Sequence, residues 1–312
     1  MALDGASEHD DAGMVVLAAL RAIGDRLDEF EPMAMADELD AVHRLRTTVR
    51  RLRSVLAVYG SLFDAAEVDE VRRRYRKLGR RLGRVRDLEV RLQVADEALQ
   101  DAAASADFDP AALAQVMADI DAETTASHQL AHQGFEHQRR SGARRRRAAL
   151  DDLIAHARSQ SQAHEARPAV STTRAVLGAL LAREARRAVR RASGVDATST
   201  PAQLHAVRRA GRRLRYAAEA LAEGPGETFG APAQRLAAAG EQVQDVLGDH
   251  RDQLMLAEYL RSSAAVADRP EQERAVLEQL ADAARQRAAV RISDLSSAVL
   301  ELRHAERDWL RR

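Results

Sequence analysis

The stretch VHRLRTTVRRLRSVLAVY, Val42–Tyr59, restricts what this chain can become more than any other. Val42, Leu45, Val49, Leu52 and Leu56 recur at steps of three and four, the spacing of one apolar stripe along an amphipathic helix. His43, Arg46, Arg50 and Arg53 repeat those steps one residue later. One imidazole and three guanidinium groups therefore share a face beside the stripe. A helix that needed only solubility would mix signs there, with Glu four residues before Lys or Arg. No Asp or Glu occurs between Val42 and Tyr59. Such groups in register repel one another unless an anion lies along them.

The pattern occurs twice. Adding 162 carries His43, Arg46 and Arg50 onto His205, Arg208 and Arg212, and Arg51 and Arg53 onto Arg213 and Arg215. Leu204, Val207, Gly211, Leu214, Ala218 and Leu221 renew the stripe. A second signature follows each copy: Leu82-Gly83-Arg84-Val85-Arg86-Asp87, then Leu247-Gly248-Asp249-His250-Arg251-Asp252. A repeat near half the chain length implies a tandem duplication. The polar stretch Ser159–Arg167 before Pro168 marks the boundary. The halves are then 11–167 and 168–312, behind an acidic segment 1–10 that reads as disordered.

Composition sets the class. Aromatics are only 3% and proline only 7 of 312 residues, which favours an all-α chain. With no cysteine there are no disulfides and no thiolate metal sites. The absence of an apolar run near 20 residues, and of a basic-then-apolar leader, leads us to expect a soluble, cytoplasmic protein with no membrane partner. The net charge is zero but unevenly spread. From Val42 to Arg91 there are 15 Arg and Lys against 6 Asp and Glu, whereas Gln203–Arg261 holds 8 Arg against 8 acids. A neutral whole with one focused positive region predicts a groove rather than a general affinity for nucleic acid. The first half should dominate it, with arginines of 183–191 partly making up the deficit. Lys77 is the only lysine, so the positive groups are forks that grip phosphate oxygens bidentately.

These residues resemble the CHAD domain family. The likeness rests on HxxRxxxRRLR at His43–Arg53 and His205–Arg215, and on LGxxRD at Leu82–Asp87 and Leu247–Asp252, and it extends over nearly the whole chain. The resemblance implies two four-helix bundles of long antiparallel helices related by a pseudo-two-fold axis. It also implies inorganic polyphosphate bound in a basic groove or pore, with association to polyphosphate granules or polyphosphate-metabolising enzymes.

Periodicity predicts helices over about Gly13–Phe30, ended by Pro32, and about Asp37–Tyr59. A third carries the stripe Val68–Val85, with others over Val90–Ala104, Pro110–Gly134 and Ser171–Ala192. A loop at Gly224–Pro232 precedes the helix that ends in the second LGxxRD, and one long helix, Pro270–Trp309, closes the chain. The expected polyphosphate-binding set begins with His43, Arg46, Arg50, Arg51 and Arg53. It continues with Arg73, Arg76, Lys77, Arg80, Arg84 and Arg86, then Arg183, Arg187 and Arg190. His205, Arg208, Arg212, Arg213, Arg215 and Arg251 complete it. Asp87 reads as an ion-pair partner for nearby arginines. His128 and His132, with His137 nearby, lack companion carboxylates, so no metal is expected. There is no GxxxxGK[ST] and no acid cluster, so neither cofactor nor enzyme activity is expected. No aromatic platforms alternate with the arginines, which argues against single-stranded nucleic acid. Two other readings are a phosphotransfer bundle, with His43 phosphorylated beside Arg46 or Arg50, and a scaffold for acidic protein partners.

Overall fold

The computed structural model describes residues 12–105, 108–136, 140–163, 173–223 and 229–311. Segment 1–10, His137, the end of the expected boundary stretch and most of the 224–232 loop lie outside them. The described residues form helices without strands: α1 (Ala12–Met35), α2 (Ala41–Tyr59), α3 (Ala65–Ala103), α4 (Pro110–Glu136), α5 (Arg140–Ala163), α6 (Thr173–Ala192), α7 (Pro201–Ala222), α8 (Gly230–Ala264), α9 (Glu271–Ser293) and α10 (Leu295–Leu310). A 3-10 turn, Gly60–Leu62, joins α2 to α3. None of these helices is long and apolar enough to cross a membrane.

Local chemistry sets the ends. Asp64 caps α3 by accepting from the amides of Ala66 and Glu67, each at 3.0 Å. Thr200 and Gln203 form a reciprocal capping box on α7, with Pro201 as its first residue. Helix α2 begins later than periodicity suggested, because Asp37 and Asp40 take left-handed conformations (φ 54° and 60°) that turn the chain out of α1. Pro32 does not end α1, which continues to Met35. Its ring lies on the exposed side, and the carbonyl it frees, that of Asp28, is also on the solvent side. The two helices expected over 68–104 are one helix of 39 residues, and the one expected over 270–309 breaks at Asp294.

Two apolar clusters hold the helices. The larger takes Leu20 and Ile23 of α1, Leu45, Val49 and Leu52 of α2, and Val71, Leu78 and Leu82 of α3. It continues through Leu150 of α5, Leu177 of α6, Leu214 of α7, Val243 of α8 and Leu302 of α10. The smaller joins Leu99 of α3, Val116 of α4, Leu256 of α8 and Leu280 of α9. Each cluster draws on both sides of residue 167, so the apolar core does not stop at the expected boundary. The central contact pairs α2 with α7. There the buried Tyr59 hydroxyl donates to the Ala217 carbonyl at 2.9 Å, while burial pushes its pKa up and keeps it a donor. Helices α7 and α8 cross at Gly211 and Gly240, where a Cβ on Gly240 would lie 2.7 Å from the Gly211 oxygen. This packing turns the two His/Arg faces toward one another.

Candidate polyanion groove

The arginines of α2 and α7 form a ladder. Arg50 and Arg212 occupy its middle and make no ion pair with any described residue. Burial, reinforced by Arg212, Arg46 and Arg208, pushes the Arg50 pKa down to about 9. Burial, opposed by Tyr216 and reinforced by Arg208, Arg46 and Arg53, pushes Arg212 down to about 10. Both remain cations at neutral pH. Arg46 and Arg208 stand one turn earlier. Arg46 donates to Asp87 at 3.2 Å, and Arg208 is stabilised chiefly by Asp252, its counterpart in the second LGxxRD motif. The Nε donors of both arginines are buried and unpartnered among the described residues.

The glycine of the second motif makes room for Arg208: a Cβ on Gly248 would sit only 3.0 Å from Arg208 Nη2, whereas one on Gly83 would lie 3.8 Å from Arg46 Nη2, an ordinary contact. Asp87 is the ion-pair partner its position suggested.

On one side the ladder opens into a cavity of about 290 Å³. Eight arginines line it: Arg50 and Arg53 from α2, Arg72 from α3, Arg187 and Arg191 from α6, and Arg209, Arg212 and Arg213 from α7. Ser54, Ala57, Ala206 and Ala210 complete the lining, with no carboxylate among them. Arg53 is surrounded by like charge; burial first, then Arg76, Arg72 and Arg80, lower its pKa. Of the eight, Arg213 is clamped by the buried Glu184 at 2.5 Å and Arg72 lies 3.5 Å from Asp69.

The opposite side is neutralised. Arg215 lies 2.7 Å from Glu219 and 2.8 Å from Glu241, and Arg51 pairs with Glu223 at 2.5 Å and Glu219 at 3.7 Å. Arg53 and Arg215 occupy equivalent repeat positions, yet only the first faces uncompensated positive charge.

The structure therefore brings together His43, Arg46, Arg50, Arg53, Arg76, Arg80, Arg86, Arg187, His205, Arg208, Arg212, Arg213 and Arg251. It turns Arg51 and Arg215 to carboxylates on the far side. Arg73 is exposed and paired with Glu70, while Lys77 and Arg84 are exposed and lie off the group Arg72, Arg76 and Arg80 that acts on Arg53. Arg183 and Arg190 are exposed on α6 outside the cavity lining. Arg72, Arg191 and Arg209 line the cavity but were not in the expected binding set, although Arg191 belongs to the 183–191 arginines expected to add to the groove. Their signal was the four-residue step to Arg76, Arg187 and Arg213. Arg146 and Arg147 serve α1, pairing with Glu31 and Asp28. His128 and His132 stack at 6.2 Å, and no set of three potential metal ligands occurs among the described residues.

Both histidines stand at the ladder's edge. Partial burial first, then Arg86, hold His43 below the ordinary imidazole value, with Arg50 adding to them against Asp40 and Glu89. Partial burial, then Arg209, Arg251, Arg212 and Arg208, do the same for His205.

The CHAD domain model matches residues 18–261, and the chain belongs to that family. Among solved structures, PptA from Streptomyces chartreusis superposes with a TM-score of 0.66 at 20% identity, over 97% of this chain and 100% of that one. The CHAD domain from the plant Ricinus communis superposes with a TM-score of 0.68 at 19% identity, over 97% of this chain and 94% of that one. At these identities the likeness establishes the all-α fold. No curated protein sequence matches the chain.

Proposed function

We propose that the groove binds inorganic polyphosphate and performs no chemistry on it. The observation carrying this reading is the cavity lined by eight arginines and no carboxylate, continuous with the unpaired Arg50 and Arg212. A linear phosphate polymer brings one negative charge per unit at a spacing that successive guanidinium forks can follow. Tyr59, Tyr75 and Tyr216 are buried and offer no stacking surface for bases. In the cell such a protein would be cytoplasmic, held at polyphosphate granules or beside enzymes that make or degrade the polymer.

The test is a three-ligand panel under one salt condition: long-chain polyphosphate, double-stranded DNA and acetyl phosphate. Submicromolar binding of the first alone, weakening steeply with salt, is expected. A stable phosphohistidine after acetyl phosphate would favour phosphotransfer, and equal binding of DNA would reduce the groove to a general polyanion surface.

Phosphate beside His43 and His205 favours their charged forms, so binding takes up protons. Both free-state pKa values lie below the ordinary value, and the bound-state values lie above them. Affinity therefore falls as pH rises from below the ordinary imidazole value of about 6.5 through the interval between the two. Calorimetric titrations across that range are the check, and flat affinity removes both histidines from the contacts.

A further inference from the structure

Resting on the polyphosphate reading above, we propose that the outer face of α6 is a second polyphosphate site, a track that takes up the polymer where it leaves the cavity. Helix α6 carries six arginines, Arg174, Arg183, Arg186, Arg187, Arg190 and Arg191, against one acid, Glu184. That acid is buried and is taken by Arg213 of α7 at 2.5 Å, with Arg187 and Arg183 acting on it more weakly. None of the six arginines makes an ion pair with a described residue. At about 100° per residue, Arg191, Arg187, Arg183, Arg190, Arg186 and Ser193 follow one another around α6 in that order. The first two line the cavity, and the next three are exposed outside it. At the last, Arg303 of α10 donates to the Ser193 hydroxyl at 3.3 Å. The basic band therefore runs unbroken from the cavity lining across the exposed side of α6 to the next helix.

Neither solubility nor packing accounts for this band. Arg44 and Arg147 each have an acid four residues away, Asp40 at 3.5 Å and Asp151 at 3.1 Å. On α6 the same step joins like charges, Arg183 to Arg187, Arg186 to Arg190 and Arg187 to Arg191, an arrangement that works against the helix. An anion lying across them removes the repulsion. Two observations make that anion the polymer rather than an acidic protein or a membrane. Arg187 and Arg191 belong both to the cavity lining and to the band, so a chain leaving the cavity meets Arg183 and Arg190 next. No large apolar side chain of α6 is exposed, so the face lacks the apolar centre of a protein interface and the apolar side of a membrane-bound helix.

The experiment uses the full chain and two probes, the shortest linear polyphosphate that wild type binds measurably and long-chain polyphosphate. In R183Q/R186Q/R190Q, with its melting temperature checked against wild type, the loss of affinity for the long chain is expected to exceed that for the short one at least fivefold. The salt dependence for the long chain should also flatten by about two in log–log slope, since three phosphate contacts are gone. The control R158Q/R274Q/R285Q removes three exposed arginines of α5 and α9 and is expected to change neither. A smaller difference between the two probes, or an equal one in the control, overturns the track while leaving polyphosphate binding in the groove intact. Failure of wild type to bind polyphosphate of any length overturns the function itself. Binding of polyglutamate that is lost in the α6 variant, with long-chain polyphosphate unaffected, makes the face a dock for an acidic protein and equally overturns the proposal.

Discussion

Replacing Arg50 and Arg212 together by glutamine is expected to weaken polyphosphate binding more than a hundredfold and, at the same time, raise the thermal midpoint. A hydrogen bond to a charged group contributes about 1.5–3 kcal/mol, so two lost cations remove about 3–6 kcal/mol. At 1.4 kcal/mol per tenfold, the low end already exceeds a hundredfold. The gain in stability has the same origin. Both pKa values lie below that of a free guanidinium, so folding works against these charges. The penalty is present in full below about pH 9 and lifts only as pH rises toward the unfolded value. Titration calorimetry paired with a melting curve checks both halves of the statement. A variant that loses affinity and also melts earlier would show that the two arginines hold the helices in place.

The second large effect concerns packing alone. Gly240→Leu is expected to cost about 3 kcal/mol or more, because its Cβ would meet the Gly211 carbonyl oxygen at 2.7 Å and the Arg215 amide nitrogen at 3.0 Å. Neither is a side-chain tip that can swing away, so α7 and α8 must separate along their whole contact. Gly83→Ala is the control. Its nearest neighbour would be Arg46 Nη2 at 3.8 Å, an ordinary contact. The helix preference of alanine should then show as a gain of about 1 kcal/mol. Urea denaturation with an unchanged slope distinguishes the two.

Much of this site could be read before any coordinates. The stripes of α2 and α7 put their arginines on one face by arithmetic, and Asp87 reads as an ion-pair partner for nearby arginines, although which arginine, and the matching place of Asp252 beside Arg208, comes only from the structure. What sequence could not supply was pairing across long separations. Arg51 finds Glu219 and Glu223, and Arg213 finds Glu184, only because α7 packs against α2 and α6. Arg215 differs from Arg53 in having Glu219 four residues on, where Arg53 has Ala57, and Glu241 arrives from α8 to complete its neutralisation. Helix ends failed for a related reason. The helix carrying Val68–Val85 does not end there: α3 runs on to Ala103, because Ala95, Leu99 and Ala102 carry its buried face into the second cluster. Helix α5 carries its own stripe, Leu150, Leu153, Ile154 and Ala157, while its arginines answer carboxylates of α1 more than a hundred residues earlier.

Helices α3 and α8 are unbroken rods of 39 and 35 residues, about 58 and 52 Å long, and each passes through both apolar clusters. A stiff rod acts as a lever: a tilt of a few degrees imposed where α4 and α9 grip its far end becomes a sideways step at Asp87 or Asp252 in proportion to the distance. The width of the groove is therefore set as much by Leu99, Val116, Leu256 and Leu280 as by the arginines along its walls.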